Sequence, residues 1–227
     1  MKKFMSLFMA AAGMFCAIGL TACGGGSKAK DPTDGLKASV GLAMTKNTEI
    51  EDLAYEDNYT IAGEYYVVTG IGECTDTDLV IPKEYNGLPV KAIGGFMGNG
   101  NITSVVLNDN IEVIRALAFG RTSALKSFTF GNNVVIVEHC AFGTTGLTKL
   151  DLGPKVRFVG WECFHHASIA TLGIRKSIKT IEYSIFNGDE AIETINYEGS
   201  EDDWKKVAFD DNNDDFKSAK LNYNVKF

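Results

Sequence analysis

From residue 102 onward, apolar side chains recur in a fixed sextet. ITSVVL (102–107), LKSFTF (125–130), LTKLDL (147–152), IATLGI (169–174) and IETINY (192–197) are each apolar at the first, fourth and sixth positions. A second apolar pair follows in four of these units: Ile111 and Ile114, Val134 and Val137, Val156 and Val159, Ile178 and Ile181. Five residues past each pair stands a phenylalanine. With Phe96 ahead of them, Phe119, Phe142, Phe164 and Phe186 recur at intervals of 23, 23, 22 and 22 residues. Self-similarity at this period predicts stacked coils, because one unit alone cannot bury its apolar face. The fold expected is therefore mainly β, a solenoid of about five to six coils of 22–23 residues. Leu79, Ile81, Val90, Ile93 and Phe96 suit a partial first coil, distorted by Asn86-Gly87-Leu88-Pro89.

Outside the repeats (74–199) the pattern changes. Tyr59 to Ile71 is rich in aromatic and β-branched residues around Ala62-Gly63-Glu64, which predicts a hairpin and an N-terminal cap over 59–73. At the far end, Ser200 followed by Glu201, Asp202 and Asp203 predicts a capped helix start. Leu221, Tyr223, Val225 and Phe227 then alternate as a closing strand, completing a C-terminal cap over 200–227. Residues 24–35, GGGSKAKDPTDG, lack apolar periodicity and read as a flexible tether. Leu36 to Asp57 is mixed, with a short helix expected around Glu49 to Tyr55.

The first 22 residues form a separate signal. Lys2 and Lys3 precede an apolar run from Phe4 to about Leu20, shorter than the ~20 residues that span a bilayer. The run ends in Leu20-Thr21-Ala22-Cys23 and resembles the bacterial lipoprotein signal, whose lipobox cysteine receives diacylglycerol. That resemblance implies a mature chain beginning at lipidated Cys23, held outside the cytoplasm at a membrane. Residues 23–58 would then be the lipidated cysteine, tether and weakly structured lead-in.

Charge narrows the partners. Removing residues 1–22 takes two lysines and no acid, which leaves 20 basic and 29 acidic residues, a formal −9. An acidic chain without a basic cluster speaks against nucleic acid. Besides Cys23, the mature cysteines are Cys74, Cys140 and Cys163, an odd number that excludes a complete disulfide framework within one chain. Packed thiols are the simpler reading.

Taken together, these units resemble the BspA-like leucine-rich repeats of bacterial surface proteins. The residues that carry the resemblance are the L-x-x-L-x-L sextets, the Ile-x-x-Ile or Val-x-x-Val pairs, and Ala118-Phe119 and Ala141-Phe142. ECTDTDLVIPKEYNGLPVKAI (73–93) looks like a family entry segment and YEGSEDDWKKV (197–207) like a family end. Cys163 and Ile185 stand where the alanine would be. The resemblance implies a surface protein, with some family members acting as adhesins, and it carries no catalytic residues to transfer.

Candidate chemistry is sparse. No Gly-x-Ser-x-Gly elbow, P-loop or His-Glu-x-x-His occurs, so no enzyme activity and no cofactor are expected. The outward strand positions are the candidate ligand surface: Ser104, Lys126, Ser127, Thr129, Thr148, Lys149, Asp151, Thr171, Thr194 and Asn196. They predict a flat polar platform for a protein or glycan. Serine and threonine also suit exposed strands without any ligand. A structural envelope lipoprotein without a soluble ligand is the first rival reading, and a surface enzyme or solute-capture subunit the second, disfavoured by the missing chemistry and the absence of a two-domain cleft. His139, Cys140, Cys163, His165 and His166 cluster along the chain, but the coil alignment separates them and no metal site is expected. DDNNDD (210–215) begins like a calcium loop, yet has Asp215 in the glycine position and Leu221 in that of the bidentate acid.

Overall fold

The computed structural model describes residues 29–47, 51–53, 59–187 and 192–227. The leader, Cys23 and residues 24–28 of the tether lie outside the described residues.

Four strands precede the coils: β1 (Ala43–Asn47), β2 (Glu51–Leu53), β3 (Tyr59–Ile61) and β4 (Tyr65–Gly70). The entry coil holds β5 (Asp78–Val80), β6 (Glu84–Tyr85) and β7 (Leu88–Ile93). In each regular coil the sextet gives one strand and the second apolar pair another. These are β8 (Ser104–Val106) with β9 (Val113–Ile114), and β10 (Ser127–Thr129) with β11 (Ile136–Val137). Next come β12 (Lys149–Asp151) with β13 (Phe158–Val159), and β14 (Thr171–Ile174) with β15 (Thr180–Ile181). The chain closes through β16 (Thr194–Tyr197), α1 (Glu201–Trp204), β17 (Ala208–Phe209), α2 (Asp214–Ser218) and β18 (Lys220–Asn222).

The architecture is a β solenoid with two parallel ladders. On the sextet side, Leu150, Leu172, Ile195 and Leu221 occupy matching positions of β12, β14, β16 and β18. β18 continues the ladder in parallel register beyond β16, so the solenoid makes about seven turns, one or two more than the repeat pattern suggests. On the opposite side, β1-β4-β7-β9-β11-β13-β15-β17 form one unbroken sheet, with β6 added to β7.

Between the ladders runs the phenylalanine column. Successive ring centroids from Phe96 through Phe119, Phe142, Phe164 and Phe186 lie 5.2, 5.7, 6.1 and 5.1 Å apart, and all five rings are buried. Backbone bonds register the column: the N–H groups of Phe96, Phe119, Phe142 and Phe164 donate to the carbonyls of Ala118, Ala141, Cys163 and Ile185. Phe216 of α2 adds a sixth ring, 5.9 Å from Phe186. Its spacing of 30 residues from Phe186 hides it from a 22-residue search. At α1 the expected cap is present, with Ser200 and Asp203 forming a reciprocal capping box.

The N-terminal region departs from the sequence reading. Tyr59 to Ile71 is not a hairpin: β3 pairs antiparallel with β2, and β4 lies between β1 and β7. A strand has only two edges, and both edges of β4 are taken. Residues 51–53 are strand, not helix, because pairing with β3 supplies their backbone partners. The tether reading fails for residues 30–35, which dock on the coils. Asp31 accepts from the Asp109 N–H at 3.0 Å, the Lys30 carbonyl accepts from Asn132, and Lys83 pairs with Asp34 at 2.6 Å.

Docking continues on the back of the unbroken sheet. Ile61 of β3 packs with Tyr65 of β4 and with Ala92, Val113, Ile136 and Phe158 of the sheet, forming a second buried cluster. Tyr59 donates to Glu112 at its edge. Burial and this bond, in that order, push the phenol of Tyr59 well above its ordinary range. The unbroken sheet is thus partly covered by residues 59–61.

Candidate functional site: the divided strand face

The sextet side is divided. β5, β8 and β10 form one sheet and β12, β14, β16 and β18 another, with no pairing between β10 and β12. Elsewhere the backbone bonds repeat coil by coil. Lys126 and Ser127 N–H groups donate to the Thr103 carbonyl at 2.8 and 3.3 Å, and Ala170 and Thr171 to that of Thr148 at 2.9 and 3.3 Å. The equivalent bonds from Thr148 and Lys149 to the Lys126 carbonyl are not made.

Side-chain size accounts for the division. β10 turns Phe128 inward and is followed by Phe130, whereas the neighbouring coils use Val105 and Leu107 or Leu150 and Leu152. Phe128 packs edge-on against both Phe119 and Phe142, at 5.1 and 4.8 Å. Phe130 lies 5.1 Å from Phe128 and 6.2 Å from Phe142. Two rings in place of two aliphatic chains occupy the volume at this level and hold the next coil away, since interiors have no slack to absorb them. Phe128 and Phe130 are 8% and 6% exposed, whereas Val105 and Leu107 are fully buried.

The result is a groove of about 440 Å³ lined by Lys126, Ser127, Thr129, Lys149, Asp151 and Arg175, with Phe128 and Phe130 beneath. Five of the ten residues expected on the platform meet here. Lys126 donates to the Gly146 carbonyl at 3.2 Å, and Lys149 pairs with Asp151 at 3.3 Å. Arg175 was missed by the sequence reading because it lies just past its sextet. Its Nε donates to the Leu152 carbonyl at 3.3 Å, and its guanidinium sits 3.7 Å from the centre of the Phe227 ring. Burial lowers the pKa of Arg175, opposed by the charges of Glu198 and Asp151.

The other candidates are differently placed. Thr148 is exposed just before β12 and does not line the groove. Ser104 donates to Asp78 at 2.6 Å, and this bond, with one from Thr103, holds the Asp78 carboxyl below its ordinary range. Asn196 is tied to Asn222 at 2.9 Å, Thr194 faces Lys220 in register, and Thr171 is half-buried. The outward position at Gly173 is filled, because a Cβ there would lie 2.5 Å from the Phe227 ring. The platform is therefore not uniformly open. Its accessible part is centred on β10 and β12.

The histidine and cysteine positions follow the coil alignment. His139 stacks on Trp161 at 4.6 Å, and Cys140 Sγ lies 3.8 Å from Glu162. Cys163 is buried, while His165 packs beside His166. Among the described residues, no three His, Cys, Asp or Glu side chains converge as a metal site would require. In the acidic loop, Asn213 is buried; it donates to the carbonyls of Glu182 and Asp210 and accepts from the Ile185 N–H. That loop is anchored as a structural joint.

The repeat signature of the BspA type Leucine rich repeat region matches residues 93–214, in six copies. The chain belongs to the BspA-type leucine-rich repeat family. Among solved structures this BspA-type chain is similar to a leucine-rich repeat protein from Eubacterium ventriosum ATCC 27560, at 21% identity and a TM-score of 0.50. That match covers 62% of this chain and 40% of the other. The pneumococcal vaccine antigen PcpA is also similar, at 20% identity and a TM-score of 0.45, over 67% of this chain and 42% of the antigen. A leucine-rich repeat protein from Bacteroides ovatus ATCC 8483 matches at 14% identity and a TM-score of 0.35, over 74% and 65% of the two chains. The matched region thus spans well under half of the first two relatives. No curated protein matches the chain. Among the described residues, no helix is long and apolar enough to cross a membrane.

Proposed function

We propose that this BspA-type protein is a lipid-anchored, non-catalytic recognition protein of the bacterial surface, held by Cys23 and binding a protein or glycan through its strand face. One observation carries the reading. Residues 59–61 cover part of the back sheet, whereas the strand face stays accessible around β10 and β12, where a groove divides it. The hydroxyls of Ser127, Thr129 and Thr148 bond to no other described side chain, so they are free to meet a partner. With no exposed Trp, Tyr or Arg cluster on the platform, contact there is weak or multivalent, which suits an array of copies on a membrane.

The test is a triple substitution of Ser127, Thr148 and Thr171 by Glu, which places three negative charges on the face, in the lipid-free domain (residues 28–227). Capture on host matrix proteins, bacterial surface proteins and a glycan panel is compared with wild type. Loss of capture at an unchanged melting temperature supports the strand face, and undiminished capture removes it. Anchoring is tested separately. Cys23→Ala abolishes incorporation of labelled fatty acid and releases the protein from the membrane fraction; persistent labelling contradicts it.

A further inference from the structure

The groove between β10 and β12 is chemically unlike the rest of the molecule. The mature chain is acidic, yet this cleft is lined by Lys126, Lys149 and Arg175 against the single carboxylate of Asp151. Lys126 and Lys149 are exposed, and neither is engaged by an acid outside the groove. The walls carry a second feature. Where the ladder stops, the N–H groups of Thr148 and Lys149 and the Lys126 carbonyl lack the partners that their counterparts have in the coils on either side, although Gly146 and Gly153 keep the two coils in contact at both ends of the gap. Beneath, the edges of Phe128 and Phe130 give an apolar floor.

We propose that this groove binds an acidic peptide segment of a protein partner, in extended conformation. This rests on the strand-face reading above and names its ligand chemistry. Each half of the site selects a part of that ligand. The ammonium groups of Lys126 and Lys149 pair with Asp or Glu side chains, with the Arg175 guanidinium behind them. The hydroxyls of Ser127 and Thr129, which line the groove, offer hydrogen bonds to the peptide backbone. An aliphatic side chain of the segment rests on the phenylalanine edges. An acidic glycan offers the carboxylates but no aliphatic side chain for the apolar floor, and the groove presents no open aromatic face on which a sugar ring would stack. Charge complementarity sets the partner's sign, and the apolar floor of Phe128 and Phe130 favours a chain that carries aliphatic side chains. Salt weakens such binding, since exposed charges are screened within about 8 Å at physiological ionic strength.

The experiment uses the lipidated full-length protein in detergent, titrated with a fluorescent peptide of alternating Glu and Val. A Lys-Val peptide and an oligogalacturonate of equal charge serve as comparisons. The acidic peptide binds, the Lys-Val peptide does not, and the uronate binds at least tenfold more weakly. Lys126→Glu with Lys149→Glu reduces affinity for the acidic peptide at least tenfold, and Lys126→Gln with Lys149→Gln reduces it by a smaller factor. Both variants keep the wild-type melting temperature, because these side chains are exposed. Failure of the acidic peptide to bind, or equal binding by the charge-reversed variant, overturns the proposal. Tighter binding of the uronate overturns the peptide assignment. In each of these cases the triple Glu variant still reports independently on whether the strand face binds anything.

Discussion

Truncating Phe142 to alanine probes the column where it is most densely packed. The ring is fully buried and meets four others: Phe119 at 5.7 Å, Phe164 at 6.1 Å, Phe128 at 4.8 Å and Phe130 at 6.2 Å. Phe96, at the start of the column, stacks on a single ring among the described residues, Phe119 at 5.2 Å. Buried Phe→Ala changes cost about 3–5 kcal/mol, and each aromatic contact adds ~0.5–1.5 kcal/mol beyond area. Phe142→Ala therefore falls near the upper figure and Phe96→Ala near the lower, a gap of about 2 kcal/mol. For a domain of this size each kcal/mol moves the melting point by ~2–4 °C, so the two variants separate by about 4–8 °C. Thermal and urea melts of the lipid-free domain, followed by circular dichroism, make the comparison. Equal midpoints would refute the idea that stability concentrates in the centre of the stack.

Four further outcomes follow from local geometry. Gly131→Ala places a methyl group 2.1 Å from the Asn108 carbonyl, so the backbone must shift and stability drops by about 1–3 kcal/mol in urea titration; a neutral change would contradict that contact. Ser200→Ala removes the side-chain cap of α1 and costs ~1 kcal/mol. Bonds from Ser200 lower the Asp203 carboxyl to about 2, so the contribution of that pair is complete above the ordinary carboxylate range and fades as pH falls toward 2; NMR titration of Asp203 with a midpoint at the ordinary value would contradict it. Native protein labels with a thiol reagent at Cys140 before Cys163, because burial pushes the Cys163 thiol far up while Cys140 is partly exposed; mass spectrometry showing the reverse order would contradict the packing.

The periodic part of the fold was legible because every coil repeats the same burial. Once Phe119 is inward, Phe142 and Phe164 must be, and the coil alignment also placed His139 on Trp161 and Cys140 on Glu162. What lacked a period was lost. Phe216 completes the column from a helix of irregular spacing, and Ile61 and Tyr65 bury themselves on the back sheet through contacts that no local pattern encodes. Residues 30–35 look like a linker by composition, yet Asp31 and Asp34 find Lys83 and Asp109 far along the chain. The site was half legible. Alternation named Lys126, Ser127, Thr129, Lys149 and Asp151, but a flat platform was expected. The groove depends on Phe128 and Phe130 being larger than the leucines the pattern treats as equivalent, and on Arg175 and Phe227 reaching in from outside the sextets.

Hydrogen–deuterium exchange resolved to single amides examines the divided face most directly. The Thr148 and Lys149 amides should exchange rapidly, whereas those of Lys126, Ala170 and Glu193, bonded to the carbonyls of Thr103, Thr148 and Ala170, should be strongly protected. Uniform slow exchange across all five positions would mean an unbroken ladder, and with it no groove for a partner to enter.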